Sequence, residues 1–172
     1  MVGSHLADFL LDKTDWDIHG LCRWRSPQNN VDHLIPRVNS GDRVFFHYGD
    51  LRDYISLQNV IENVKPEYVF HLAAQSFPKT SFSSPINTFD TNIQGTERLL
   101  EVLRKCNNID PWIHVCSSSE VFGRVPKEKV PIDEEWKKNY YVNHELSGED
   151  DNYLLVFTPR PEVDTIYDTL RI

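Results

Sequence analysis

The 172 residues, 40% hydrophobic and 26% charged, are enough for one domain with a real core and have the balance of an ordinary globular protein. No stretch approaches the roughly 18 apolar residues a membrane helix needs, and the opening MVGSHLADFLLDKTD lacks the basic head and cleavage site of a secretory signal. From Pro131 onward ten acids face four bases, so the tail carries six of the eight net negative charges; a nucleic-acid binder needs a net basic face, and that class is set aside.

Cys22, Cys106 and Cys116 are scattered and have no metal-ligand spacing. They read as reduced thiols of a cytosolic protein.

Residues 3–11 (GSHLADFLL) place apolar groups on one side at helical spacing. Residues 17–24 (DIHGLCRW) form a short apolar run ending in charge, which suits a buried strand, and a polar loop rich in Asn follows. VFFHY at 44–48 is a second strand, and DYISLQNVIENV at 53–64 has helical period and stops at Lys65-Pro66. Tyr68 to Leu72 give a third strand that runs into small residues. A helix start is expected at Ser83–Asn87, with Pro85 in its first turn, and FDTNIQGTERLLEVLRK is the longest helical pattern. WIHVCSSSE is a fourth strand ending in serines. This alternation implies a parallel sheet with helices on its faces. After about Glu135 the periodicity fades, so residues 1–135 are expected to form one domain and 136–172 a divergent, poorly structured acidic tail.

Ligands of an open parallel sheet bind beyond the carboxyl ends of its strands. Those ends carry Arg23-Trp24-Arg25, Asp50-Leu51, Ala73-Ala74-Gln75-Ser76 and Ser117-Ser118-Ser119-Glu120. Arg23 suits either a solvated charge or bidentate pairing with a 2′-phosphate. Asp50 can accept from an adenine amino group with Leu51 against the ring, and Ala73 and Ala74 permit close backbone approach. The serine run suits a turn or cap, or a hydroxyl cluster that, beside Glu120, polarises a substrate hydroxyl and takes a proton. His71, in an apolar strand, reads as a satisfied core histidine.

In order and spacing, GSHLADFLL, DLRDYISLQNVIENVKPEYVFHLAAQS, SFSSPINTFDTNIQGTERLLEVLR and HVCSSSEVFG resemble the extended short-chain dehydrogenase/reductases acting on nucleotide sugars. KPEYVFHLAAQS, followed by Lys79 and Ser81-Phe82, is most similar to the GDP-mannose 4,6-dehydratases. The resemblance covers roughly residues 2–135. It implies a Rossmann-like doubly wound sheet, an NADP cofactor (NAD the alternative), a nucleotide-sugar substrate and a homo-oligomer, with no nucleic-acid or membrane partner. Gly3 then matches the last glycine of the phosphate-binding turn, and Arg23 the 2′-phosphate contact, with Trp24 where a second arginine often stands. Asp50 and Leu51 match the adenine contact. Ala73, Ala74 and Gln75 match the stretch lining ribose and nicotinamide, while Ser76 and Ser119 lie on the substrate side. Ser118 matches the group that hydrogen-bonds the sugar 4-hydroxyl, and Glu120 the acid that takes the C5 proton. Many 4-epimerases have no carboxylate there, which favours a dehydratase over the epimerase alternative.

Two parts of the family pattern are not found. The first strand and leading glycines of G-x-x-G-x-x-G should precede Val2, so the sheet is expected to be truncated, lacking its first strand. For the Tyr-x-x-x-Lys pair, Tyr140 and Tyr141 are followed four positions later by His144 and Glu145, and a glutamate opposes a tyrosinate. The expectation is an impaired dehydratase, or a non-catalytic fragment that binds a homologous subunit. A late start codon and a shifted reading frame would explain both gaps; an uninterrupted coding frame with no family-like sequence in the others would sink that idea.

Overall fold

The computed structural model of the chain describes residues 2–24, 26–117 and 127–129. Residues 1–114 form one compact unit and 115–172 a second, in which the described residues are few. In chain order the elements are α1 (Val2–Lys13), β1 (Ile18–Cys22), a 3-10 turn (Asp32–Leu34), α2 (Ile35–Ser40), β2 (Val44–Tyr48), α3 (Tyr54–Val64), β3 (Tyr68–His71), α4 (Pro78–Ser83), α5 (Pro85–Phe89), a π turn (Asp90–Gln94), α6 (Gly95–Lys105) and β4 (Trp112–Val115). A second 3-10 turn, Lys127–Lys129, lies in the second unit.

Strands 1 and 2 run parallel, with Ile18 opposite Val44 and Cys22 opposite Tyr48. The Ile18 N–H donates to Arg43 O at 2.8 Å, and the Gly49 N–H donates to Cys22 O at 3.0 Å. Ile18, Gly20 and Cys22 therefore turn their backbone groups to β2, while those of His19 and Leu21 face the opposite edge. Among the described residues no strand pairs with that edge: β1–β2 and β3–β4 are separate two-stranded sheets. Stacked rings link the two near the strand starts, Trp16 on Tyr68 at 4.5 Å.

Helices cover one face of the β1–β2 sheet, where Ala7, Leu34 and Val44 are buried together with Leu11, Ile18, Val31, Val38 and Phe46 around them. Helix α1 earns its place there because its apolar residues recur at helical spacing, and its C-terminal carbonyls are met by Arg43. That guanidinium donates to Thr14 O at 2.6 Å and Leu11 O at 3.4 Å. Helix α3 lies against α6. The Asp53 carboxylate caps α3 by accepting from the Ile55 N–H at 3.1 Å, and Lys65, in the left-handed conformation at φ 50°, ends it ahead of Pro66. Leu57 and Ile61 of α3 and Leu99, Val102 and Leu103 of α6 are buried; each such side chain contributes about 1.5–3 kcal/mol of transfer free energy.

The sequence pattern anticipates all four strands and the helices at α1, α3 and α6. It misses the short α2 and α4. The long helical pattern from Phe89 is interrupted where the Gly95 N–H reaches back five residues to Asp90 O, forming a π turn. Gly95 is required at this point. A Cβ there would lie 2.9 Å from Leu51 Cβ, so only glycine lets α6 come this close to the segment after β2.

Candidate functional site at the strand ends

Strands β1 and β2 release the chain at neighbouring points of the same sheet end, and their exits open one cleft of about 470 Å³. It is lined by Arg23, Trp24 and Ser26 from the β1 side, and by Tyr48, Asp50, Arg52 and Ser56 from β2 through the start of α3. After β1 the chain closes a turn in which the Ser26 N–H donates to Arg23 O at 3.1 Å, leaving Arg23 and Trp24 exposed. The Trp24 ring meets Tyr48 edge-on at 5.0 Å, which makes an aromatic wall.

The carboxylate of Asp50 is tightly held. Its backbone N–H donates to Ser56 Oγ at 3.1 Å. Its Oδ1 accepts from the Arg52 backbone N–H at 3.0 Å, a local turn of the kind Asp favours. The Arg52 guanidinium adds a two-pronged pair, Nε to Oδ1 at 3.1 Å and Nη2 to Oδ2 at 2.8 Å. The Arg52 side-chain hydrogen bonds come first among the causes that pull the Asp50 carboxyl down to about 2; the Arg23 charge acts in the same direction. Asp50 is therefore ionised throughout the neutral range, between two guanidinium groups. Arg52 also reaches α5, donating from Nη1 to Asn87 Oδ1 at 3.1 Å.

Beyond β3, residues 73–76 are fixed to the long helix by one side chain. The Gln75 N–H donates to Asn92 Oδ1 at 2.7 Å, and Asn92 Nδ2 donates to Gln75 O at 3.0 Å. The Gln75 side chain turns along its own loop, with Nε2 donating to Phe77 O and Thr88 Oγ1 and Oε1 accepting from the Phe77 N–H. Under this loop His71 is buried. Its Nε2 lies 2.9 Å from Thr96 Oγ1, whose own proton goes to Asn92 O at 2.7 Å. The hydroxyl must therefore accept from His71, which places a proton on Nε2. Burial lowers the His71 pKa and so favours the neutral ring.

Arg23 and Asp50 thus share the cleft. Leu51 is buried, with its Cβ directly against the space kept open by Gly95. Gly3 lies in the first turn of α1, where an added Cβ would sit 3.9 Å from Leu72 Cδ1. Ala73, Ala74 and Ser76 are exposed along the loop that Gln75 and Asn92 hold. Ser118, Ser119 and Glu120 lie outside the described residues, as do Tyr140, Tyr141, His144 and Glu145. Sequence reasoning missed Arg52 and Asn92. An Asp followed two positions later by a residue able to fold back on it was the available sign for Arg52; nothing in the sequence marked Asn92.

Parallel strands alternating with helices, and a charged and aromatic cleft at the strand ends, fit the Rossmann-like fold of the NAD-dependent epimerase/dehydratase class. The solved UDP-glucose 4-epimerase of Bifidobacterium longum, in complex with NAD+ and UDP, is 30% identical with a TM-score of 0.62, over 77% of this chain and 38% of its own. Among curated proteins, the GDP-mannose 4,6-dehydratase of Vibrio cholerae is 40% identical over 139 residues, 76% of this chain and 37% of its own length. The GDP-mannose 4,6 dehydratase of Drosophila melanogaster is 39% identical over 128 residues, 72% of this chain and 32% of its own. The sequence model of the GDP-mannose 4,6 dehydratase family matches residues 1–141. The chain belongs to the GDP-mannose 4,6-dehydratase family, and it spans about a third of the length of the curated relatives it matches.

Proposed function

We propose that this chain is the dinucleotide-binding part of a nucleotide-sugar 4,6-dehydratase acting on GDP-mannose, with NADP preferred over NAD. The observation that carries this reading is the cleft at the ends of β1 and β2, with Arg23 and Asp50 on one opening, in a chain of this family.

The donor set suits an adenosine phosphate. The Arg23 guanidinium would pair with a 2′-phosphate. Asp50 would accept from the adenine amino group, and the Trp24–Tyr48 wall supplies apolar surface. Ala73 and Ala74, with nothing beyond Cβ, let the backbone approach ribose and nicotinamide closely; Gly3 does the same for the phosphates. When bound, the dinucleotide supplies the hydride acceptor for the sugar C4. Of the chain's own groups, Ser118 would hydrogen-bond the 4-hydroxyl, and Glu120 would take the C5 proton and then give it to the C6 hydroxyl as that leaves as water. Ser76 and Ser119 would contribute hydroxyls on the substrate side.

Titration of the purified chain with NADP and NAD, followed by the fluorescence of Trp24 in the cleft, tests the cofactor half. Tighter binding of NADP, lost in Arg23→Ala, is expected; no binding of either dinucleotide would overturn the reading. For the catalytic half, Glu120→Gln is expected to abolish exchange of the C5 hydrogen of GDP-mannose with deuterated water, and unchanged exchange would refute the role.

A second reading, association with a homologous subunit, is favoured by one observation. Phe82, Ile86, Phe89 and Ile93 stand at intervals of four, three and four along α4, α5 and the π turn, and are 58–88% exposed. Sedimentation of the chain alone and mixed with a full-length relative separates the two readings.

A further inference from the structure

The β1–β2 sheet carries a pair of histidines on the face turned away from α1. Ile18, Val44 and Phe46 pack into the core with Ala7 and Leu34, so by alternation His19, Leu21, Phe45 and His47 point the other way. His19 is exposed and His47 half-buried. In register His19 stands opposite Phe45, and its ring lies nearly parallel to those of Phe45, at 4.8 Å, and His47, at 5.2 Å. His19 Nδ1 and His47 Nε2 are 2.9 Å apart.

Two imidazole nitrogens at this spacing can share more than a proton. A metal ion bonded to both at about 2.0–2.1 Å sets them about 3.4 Å apart at a tetrahedral angle, but about 2.9 Å apart at a right angle. The observed 2.9 Å therefore matches neighbouring positions in a square-planar or tetragonal shell, the geometry of Cu(II) and Ni(II), and is short for tetrahedral Zn(II). At present one nitrogen donates its proton to the other. On binding, that proton passes through solvent to the second nitrogen of its own ring, so both rings stay neutral and no proton is gained or lost. Both lone pairs must then turn toward one point beside the line joining the nitrogens, a pivot open to the exposed His19. Burial, then His47, lowers the His19 pKa, and Asp17 opposes them; the neutral ring a metal requires is the form present at neutral pH. The Asp17 carboxylate also supplies a negative charge that favours a cation. Among the described residues no group of three His, Cys, Asp or Glu side chains is placed to hold a metal. Water, or a donor brought by another molecule, is left to fill the other positions of a two-imidazole site, and the ion exchanges freely.

We infer that His19 and His47 form a two-imidazole chelate for a divalent transition metal that takes right-angled nitrogen ligands, Cu(II) or Ni(II), and that the bound ion ties β1 to β2. Neither residue lines the cleft at the strand ends, and the site stands whether or not that cleft binds a nucleotide.

Ni(II) is the probe, because the free thiols of Cys22, Cys106 and Cys116 reduce Cu(II) but not Ni(II). Calorimetric titration of the purified chain is expected to show one Ni(II) site, and Tm should rise with the ion. His19→Gln and His47→Gln each keep a polar side chain on an accessible face, so both should fold, which a melt without metal checks. Each should weaken Ni(II) binding by about ten-fold or more, since loss of a mere outer-shell partner already costs about 10–100-fold, and each should abolish the rise in Tm. Zn(II) should bind the wild type more weakly than Ni(II). His33→Gln, which removes the other exposed histidine contact, 2.9 Å from Asp8, should leave the titration unchanged. In the wild type, the imidazole resonances of His19 and His47 should broaden together at substoichiometric Ni(II). Loss in only one of the two variants, or broadening of only one ring, would show a single surface histidine and overturn the chelate. Loss in His33→Gln would move the site to Asp8, and a wild-type titration no tighter than that of the double variant would remove the site altogether. Tighter binding of Zn(II) would refute the right-angled geometry.

Discussion

Replacing Gly95 by alanine separates two opposing effects of known size. In an ordinary helix the change stabilises by roughly 0.5–1 kcal/mol, because glycine loses more backbone freedom on folding. Here the new Cβ would lie 2.9 Å from Leu51 Cβ, 3.4 Å from Asp90 O and 3.5 Å from Leu51 Cδ1. The nearest atom is a Cβ fixed to backbone, so it cannot swing aside, and helix and loop must part. Overpacking of this kind costs about 1–3 kcal/mol. The steric term wins, for a net loss of about 1–2 kcal/mol, or roughly 2–8 °C in Tm for a chain of this size. Gly3→Ala is the control: it too is a helical glycine, but its Cβ would meet only Leu72 Cδ1 at 3.9 Å, so stability should be unchanged or slightly raised. Thermal melts and urea titrations of the two variants decide the matter. Because Leu51 adjoins Asp50, Gly95→Ala should also weaken nucleotide binding. A Gly95→Ala chain as stable as wild type would refute the claim that α6 needs a bare Cα against Leu51.

Asn92→Ala strands the Gln75 N–H and carbonyl at once, with an expected cost of about 1–3 kcal/mol. Amide exchange at Gln75 should accelerate by a comparable factor, and unchanged exchange would show that the loop stands without the clamp. Burial holds the His71 pKa below its ordinary value of 6.5, so the unfolded chain takes up that proton first. The stability contributed by neutral His71 is therefore present above pH 6.5 and lost as pH falls below it. His19 is lowered as well, by burial and then by His47, and acts in the same window. Urea midpoints followed downward from neutral pH should fall less steeply in His71→Gln, with the His19 share remaining; an identical slope would remove His71 from the account.

The legible parts of the fold are those where burial repeats along the chain. Helix α6 shows itself through Leu99, Val102 and Leu103, α3 through Leu57 and Ile61, and β2 through Val44, all buried. Helices α2 and α4 left no such trace because neither buries a residue; with Pro36 and Pro78 near their starts they form by local geometry. The π turn was illegible for the same reason, since Asp90–Gln94 contains no buried residue. At the site, Arg23 and Asp50 were readable because strand ends can be located from periodicity and a doubly wound sheet gathers them. Arg52 escaped because its partner is its near neighbour in the chain, so no long-range pattern announces it. Asn92 escaped because its position opposite Gln75 depends on how the interrupted helix is wound.

That winding sets the phase between two attachments. On the N-terminal side of Gly95, Asn92 must face the Gln75 loop; from Gly95 onward, the helix must present its bare Cα to Leu51 and its leucines to α3. The residue accommodated by the π turn is the angular spacer that lets one continuous helix satisfy both. Deleting a single residue there would restore regular winding and turn one attachment about 100° away from the other. Insertions and deletions in the DTNIQ segment are therefore constrained as tightly as those in a buried strand, although none of its residues is buried.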